Sequence, residues 1–122
     1  MIEYELLTDD NVVVVTPDGR LEANDFKQLA AAVDPLIEKN GKLNGLMIRA
    51  ESFPGWKNFA GLLSHLRFVR DHHRNIAKVA LVSDSKAAIV AETAAKHFVK
   101  AKIRHFDFEN KTQALAWLKQ AE

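Results

Sequence analysis

Cysteine is absent from all 122 residues. Its absence excludes disulfides, thiolate metal sites and cysteine nucleophiles together, and predicts a reducing compartment. Long apolar runs are missing as well. The longest aliphatic stretches, Val12 to Val15 and Ala87 to Ala91, fall far short of the roughly 20 residues that span a bilayer. The N-terminus, Met1-Ile2-Glu3-Tyr4-Glu5, lacks the basic and then apolar pattern of a secretory leader, so the expected location is cytoplasmic. The 5 glycines, at positions 19, 41, 45, 55 and 61, never gather into a phosphate-cradling loop, which removes the usual nucleotide fingerprints. No cofactor is expected. Net charge is also scarce, at +1, but that sum hides two unequal halves. Residues 1–51 carry 5 Lys/Arg against 10 Asp/Glu, whereas residues 52–122 carry 12 against 6, together with all 5 histidines. Such asymmetry marks the second half for an anionic partner. A pI near 8.0 is modest for nucleic acid, which is not expected as that partner.

What is present is ordinary for a globular protein, with 48% hydrophobic and 27% charged residues. The length predicts one domain over residues 1–122 that buries about two thirds of its unfolded surface. Ile2 to Leu7 and Val12 to Val15 flank the turn formers Thr8-Asp9-Asp10-Asn11 and read as a hairpin that stops at Pro17-Asp18-Gly19. Phe26, Leu29, Ala30, Val33, Leu36 and Ile37 recur at helical spacing. Asn24 is the expected N-cap and Asn40-Gly41 the stop, with a kink or break at Pro35. Leu46 to Ala50 is a strand, followed by a loop over Glu51-Ser52-Phe53-Pro54-Gly55. A helix from Trp56 or Lys57 to Arg74 places Phe59, Leu62, Leu63, Leu66 and Val69 on one face. Val79 to Val82 is a strand. Lys86 to about Lys100 is an Ala-rich helix with Ile89, Val90, Ala94 and Phe98 inward. Ile103 to Phe108 is the last strand, and Lys111 to Lys119 the last helix, anchored by Leu115 and Leu118. Alternating strands and helices after a hairpin predict an α/β fold, with a mixed, mostly parallel five-stranded sheet and about four helices.

The order of hairpin, Pro17-Asp18-Gly19-Arg20-Leu21, Asp25-Phe26 and a helix with a late proline resembles the SpoIIAA-like branch of the STAS superfamily. The Phe53-Pro54-Gly55-Trp56 loop and the aromatic helix after it extend the likeness over essentially the whole chain. In STAS anti-anti-sigma proteins an Asp-Ser-Ser-Gly type motif follows the third strand, and one of its serines is phosphorylated to switch a kinase partner. The matching stretch here is Ala50-Glu51-Ser52-Phe53-Pro54-Gly55, with Ser52 the single serine and bulky Phe53 and Pro54 in place of small residues. The SpoIIAA-like branch is related in fold to the CRAL-TRIO lipid-binding proteins. The resemblance thus implies a non-catalytic module that holds an apolar ligand or touches a membrane. Its alternative is an interaction module like anti-sigma antagonists, with Ser52 as the regulatory residue.

The segment from Phe53 to Arg74 carries aromatic and leucine residues, and residues 52–78 hold Lys57, Arg67, Arg70, Arg74 and Lys78 against the single acid Asp71. An interfacial helix has this composition: its apolar side enters the acyl boundary while its cations meet anionic headgroups. Phe53, Trp56, Phe59, Leu63 and Phe68 are therefore the expected apolar contacts for a small molecule, lipid or membrane. Lys57, Arg67 and Arg70 are the expected headgroup or anion contacts, and a homodimer is a further way to cover the extra aromatics. Phe68 lies off the Leu62–Leu66 face, near His65 and His72, and is assigned to a pocket, dimer or lipid contact. The histidines do not make a metal site: His65 and His72 stand two turns apart, adjacent His72 and His73 diverge, and His97 and His105 are isolated. Ser83-Asp84-Ser85-Lys86 has the spacing of some acylated serine hydrolases but lacks their companion motifs, so it reads as a helix cap. No catalytic residues are expected.

Overall fold

The computed structural model describes residues 1–96 and 98–120, the side chains of Ala87 and Ala94 excepted; His97 lies outside the described residues. Five strands, β1 (Ile2–Leu7), β2 (Val12–Pro17), β3 (Leu43–Arg49), β4 (Ile76–Val82) and β5 (Lys102–Phe106), form one sheet in the order of the chain. β1 runs antiparallel to β2, and every later pair is parallel. The expected mixed α/β sheet is therefore the fold. The helices are α1 (Ala23–Asn40), α2 (Phe59–His72), α3 (Lys86–Ala95) and α4 (Lys111–Lys119), with a single 3₁₀ turn at His73–Asn75.

The sequential strand order decides where the helices go. Right-handed crossovers that all step the same way along a sheet deliver α1, α2 and α3 to one face. Only α4, after the last strand, reaches the other face. There Val12, Val14, Met47, Ala80, Val82 and Phe106 pack with Ala114 and Leu118. On the three-helix face Val13, Val15 and Leu46 meet Phe26, Leu29 and Val33 of α1 and Phe68 of α2. Register places Val13, Leu46, Val79 and Ile103 side by side across four strands.

Local chemistry sets the ends of α1. Glu22, not Asn24, is the N-cap residue, and the Asp25 carboxylate accepts the Glu22 amide at 2.8 Å. Gly41 ends the helix at φ 84° and donates its amide to the Ile37 carbonyl at 2.7 Å, a left-handed geometry that glycine adopts without steric cost. α1 continues without a break through Pro35. Pro35 and Ala31 are both exposed, so water can satisfy the carbonyl that the missing amide would have served.

Two helix faces differ from the sequence expectation. In α2, Phe59 and Leu66 are 74% and 58% exposed while Phe68 is buried. The inward stripe is Gly61, His65, Phe68 and His72. Gly61 dictates this rotation, because a Cβ at that position would meet the Leu21 carbonyl oxygen at 2.5 Å. In α3, Ile89 and Val90 point outward, with Val90 67% exposed, and Phe98 beyond the helix is 82% exposed. The inward side instead carries Ala88, Ala91 and Ala95, together with Glu92, whose carboxylate accepts the His105 amide of β5. That bond fixes α3 by its polar residue and turns its smallest side chains toward the sheet.

Candidate functional site

On β4, residues 76, 78, 80 and 82 are all buried, whereas 77, 79 and 81 between them are only half-buried. The half-buried set includes Val79 and Leu81, on the face that carries three helices. A cavity of about 590 Å³ explains this. Its floor is Ile48, Val79, Leu81 and Ile103, its walls are Phe26, Phe68 and the alanines of α3, and Phe53, Pro54 and Trp56 stand on one side. The alanines that face inward are too short to fill the gap. At about 24 cal/mol per Å³ a sealed dry void of this size would cost roughly 14 kcal/mol, the whole stability of an ordinary domain. The space opens along part of its outline instead, so solvent or a ligand can enter.

The loop between β3 and α2 is held to the start of α1. The Leu21 amide donates to the Gly55 carbonyl at 2.8 Å, and the Lys57 amide to the Leu21 carbonyl at 2.9 Å. Gly55 lies at φ 81°, which lets the loop turn here. Asn58 then caps α2, its side-chain oxygen accepting the Gly61 amide at 3.0 Å. These contacts present Trp56 to α2, where its indole N–H donates to His65 Nδ1 at 3.1 Å. Phe53 meets the Trp56 ring edge-on at a centroid distance of 4.9 Å, and His65 stacks on Phe26 at the same distance.

Among the described residues three histidines line the cavity, each with a ring nitrogen in a hydrogen bond. His65 accepts from Trp56 at Nδ1, so its neutral form carries the proton on Nε2. Burial pushes its pKa below 6.5 and favours that form. His72 stacks on Phe68 at 4.1 Å, with Nδ1 2.8 Å from the Phe68 carbonyl and Nε2 2.7 Å from the Asp34 carboxylate. Both of its ring nitrogens are thus taken up by protein oxygens. His73 Nδ1 accepts the Lys100 amide at 3.0 Å, tying the 3₁₀ turn to the segment after α3.

Of the residues singled out in the sequence, Phe53, Trp56 and Phe68 come together on this cavity. Phe59 projects into solvent, and Leu63 is half-buried outside the lining. Lys57 pairs with Glu22 at 2.7 Å, and the side-chain bond to that carboxylate raises its pKa. Arg70 pairs with Asp71 at 2.9 Å, and Arg67 is exposed. Ser52 is exposed in the β3–α2 loop. The serines of the β4–α3 turn have structural work, since Ser83 Oγ donates to the Glu51 carbonyl and accepts the Ser85 amide, both at 3.1 Å. Among the described residues no group of three His, Cys, Asp or Glu is placed to hold a metal. Nor is any helix among them long and apolar enough to cross a membrane. Sequence reasoning missed His65, His72 and His73 as wall residues. The signal was there in part: Gly61, His65, Phe68 and His72 follow the 4-3-4 spacing of one helix face, but the leucines offered a more apolar competitor.

A sequence-family profile described as SpoIIAA-like matches residues 12–119. The crystal structure of an uncharacterized protein of the DUF3478 family from Shewanella loihica PV-4, described as having a SpoIIAA-like fold, superposes with a TM-score of 0.74 at 21% identity. The alignment covers 97% of this chain and 92% of that one. No curated protein matches the sequence.

Proposed function

The chain belongs to the SpoIIAA-like family, and we propose that it serves as a non-catalytic binding module whose cavity takes a small apolar or amphipathic ligand. The cavity carries this reading. Its volume of about 590 Å³ falls in the 300–1,000 Å³ range of small-molecule sites, and its walls are aliphatic and aromatic with a few polar atoms. Among the described residues, the lining includes no Asp, Glu, Lys or Arg. Native mass spectrometry of the purified chain tests the reading and reports stoichiometry at the same time. A bound small molecule supports it. A chain without one that also fails to take up N-phenyl-1-naphthylamine overturns it.

The second element of the proposal is peripheral attachment to an anionic membrane. Phe59 and Leu66 expose apolar surface on α2, and Arg67 and Arg70 lie exposed on the same helix. Trp56, about one-third exposed, suits an interface because its ring is apolar and its N–H polar. Co-sedimentation with phosphatidylglycerol vesicles should therefore exceed that with phosphatidylcholine, and Phe59→Ser with Leu66→Ser should reduce it. Equal binding to both vesicles, or none, overturns this element. The regulatory alternative rests on Ser52, which is exposed in the β3–α2 loop. Stoichiometric phosphorylation of Ser52 by a partner kinase would favour it.

A further inference from the structure

We infer that the cavity's occupant is an uncharged hydrophobe with a hydrogen-bond acceptor such as a carbonyl, and that His65 reads this acceptor through its Nε2–H. The inference rests on the ligand-site reading above and narrows it to a chemical class.

Charge comes first. With no Lys or Arg on the lining among the described residues, a carboxylate or phosphate brought inside would lose its water and gain no counter-charge, which costs several kcal/mol. His72 does not supply that charge, because its ring nitrogens are committed to the Phe68 carbonyl and to Asp34. An acidic headgroup is thereby confined to the mouth, and the group held inside is neutral.

The donor comes next. With Nδ1 of His65 occupied by the Trp56 indole, the remaining ring proton sits on Nε2, and no acceptor meets it among the described residues. Among the described residues no buried side-chain nitrogen or oxygen lacks a partner, so this unpartnered N–H is accessible to a probe. His65 lines the cavity, its ring fixed by Trp56 on one edge and by Phe26 against its face. A donor held in this way needs no reordering to meet a carbonyl, which is the condition under which a single hydrogen bond selects a ligand. Burial keeps the ring neutral near pH 7, so it offers one proton and not a cation. Ser83 offers less, because its hydroxyl already donates to Glu51 and accepts from Ser85. His73 is the competing donor, since its Nδ1 is also occupied.

Three naphthalenes of similar shape test this in the full chain at pH 7.5, by displacement of N-phenyl-1-naphthylamine. 2-Acetylnaphthalene carries a neutral acceptor, 2-isopropylnaphthalene none, and 2-naphthoate a charge. The expected results are weaker displacement by the naphthoate than by the ketone and a ketone-to-hydrocarbon affinity ratio that falls about tenfold in His65→Phe, the worth of one neutral hydrogen bond. His73→Phe should keep the ratio. His65→Gln, which retains an acceptor for Trp56 and a donor for the ligand, should keep most of it and guards against misfolding of the phenylalanine variant. An unchanged ratio in His65→Phe, a loss in His73→Phe, or preference for the naphthoate overturns the inference while leaving a ligand site in place. Failure of all three compounds, and of the probe itself, overturns the ligand site and the inference together.

Discussion

Val79 and Val82 stand three residues apart on β4, on opposite faces of the sheet, and replacing each by phenylalanine should move stability in opposite directions. Val79 is half-buried and borders the cavity. Val82 has no exposed surface and packs in the cluster under α4. At Val79 the larger ring enters space that already exists. Extra burial, at about 25 cal/mol per Å² and with no cavity or strain to oppose it, contributes roughly 1 kcal/mol. For a domain of this size that raises the unfolding midpoint by about 3–5 °C. At Val82 the same ring has nowhere to go, and overpacking a filled core costs typically about 1–3 kcal/mol. Thermal and urea unfolding, followed by circular dichroism with equal treatment of both variants, reads the difference. Uptake of N-phenyl-1-naphthylamine should fall in Val79→Phe and persist in any folded fraction of Val82→Phe. If Val79→Phe loses as much stability as Val82→Phe, the space above β4 does not exist in solution, and the reasoning from the cavity fails with it.

Three further outcomes follow from single groups. Gly61→Ala places a methyl group 2.5 Å from the Leu21 carbonyl oxygen, against backbone that cannot yield cheaply. A loss of at least about 1–3 kcal/mol in urea unfolding is expected, despite alanine's better helix propensity. Lys78 is 4% exposed and donates to the Trp117 and Gln120 carbonyls at the end of α4, at 2.9 and 3.0 Å. Lys78→Met keeps the stem but leaves those carbonyls without their charged donor, so it should cost about 1.5–3 kcal/mol. The pH response has a defined sign at His65, whose folded pKa is depressed by burial below its ordinary 6.5. Between the folded value and 6.5 the unfolded chain binds the proton more readily, so stability is unaffected above that range, falls as pH drops through it and levels off below. Protonating Nδ1 also removes the acceptor for Trp56. Unfolding midpoints at pH 7.5, 6.5 and 5.5 should therefore decline less in His65→Gln than in the parent chain, and equal declines would assign the effect to other groups.

Every strand and α-helix was legible from period and punctuation, which are local, though the 3₁₀ turn at His73–Asn75 and the ends of α2 and α3 were not. The hairpin, the strand after Gly41, the loop at Phe53-Pro54-Gly55 and the span of α4 are written in apolar spacing and in turn formers. So is the sheet's mixed character, which follows from a hairpin ahead of alternating strands and helices. β1 also shows how an exposed edge is protected: Glu3 and Glu5 project from it beside the exposed Tyr4 and Leu6, and charged edges resist pairing with a second sheet.

The site was legible only in part. Of the five apolar contacts expected from aromatic and leucine content near a loop, Phe53, Trp56 and Phe68 border the cavity and Phe59 and Leu63 do not. Their meeting point was not legible, and neither were the histidine walls. The rotation of α2 about its axis depends on a close approach between Gly61 and Leu21, forty residues apart in sequence, which hydropathy along a helix does not encode. The rotation of α3 depends on Glu92 reaching the His105 amide, again a contact between separate elements. Local pattern thus determined which segments are helices and strands and how they alternate. The tertiary structure alone decided which sides of α2 and α3 turn inward, and so that alanines and histidines border an unfilled space above the sheet. A helix face is chosen by fit to its neighbours, and side chains too small or too polar to close the core are what leave this space open.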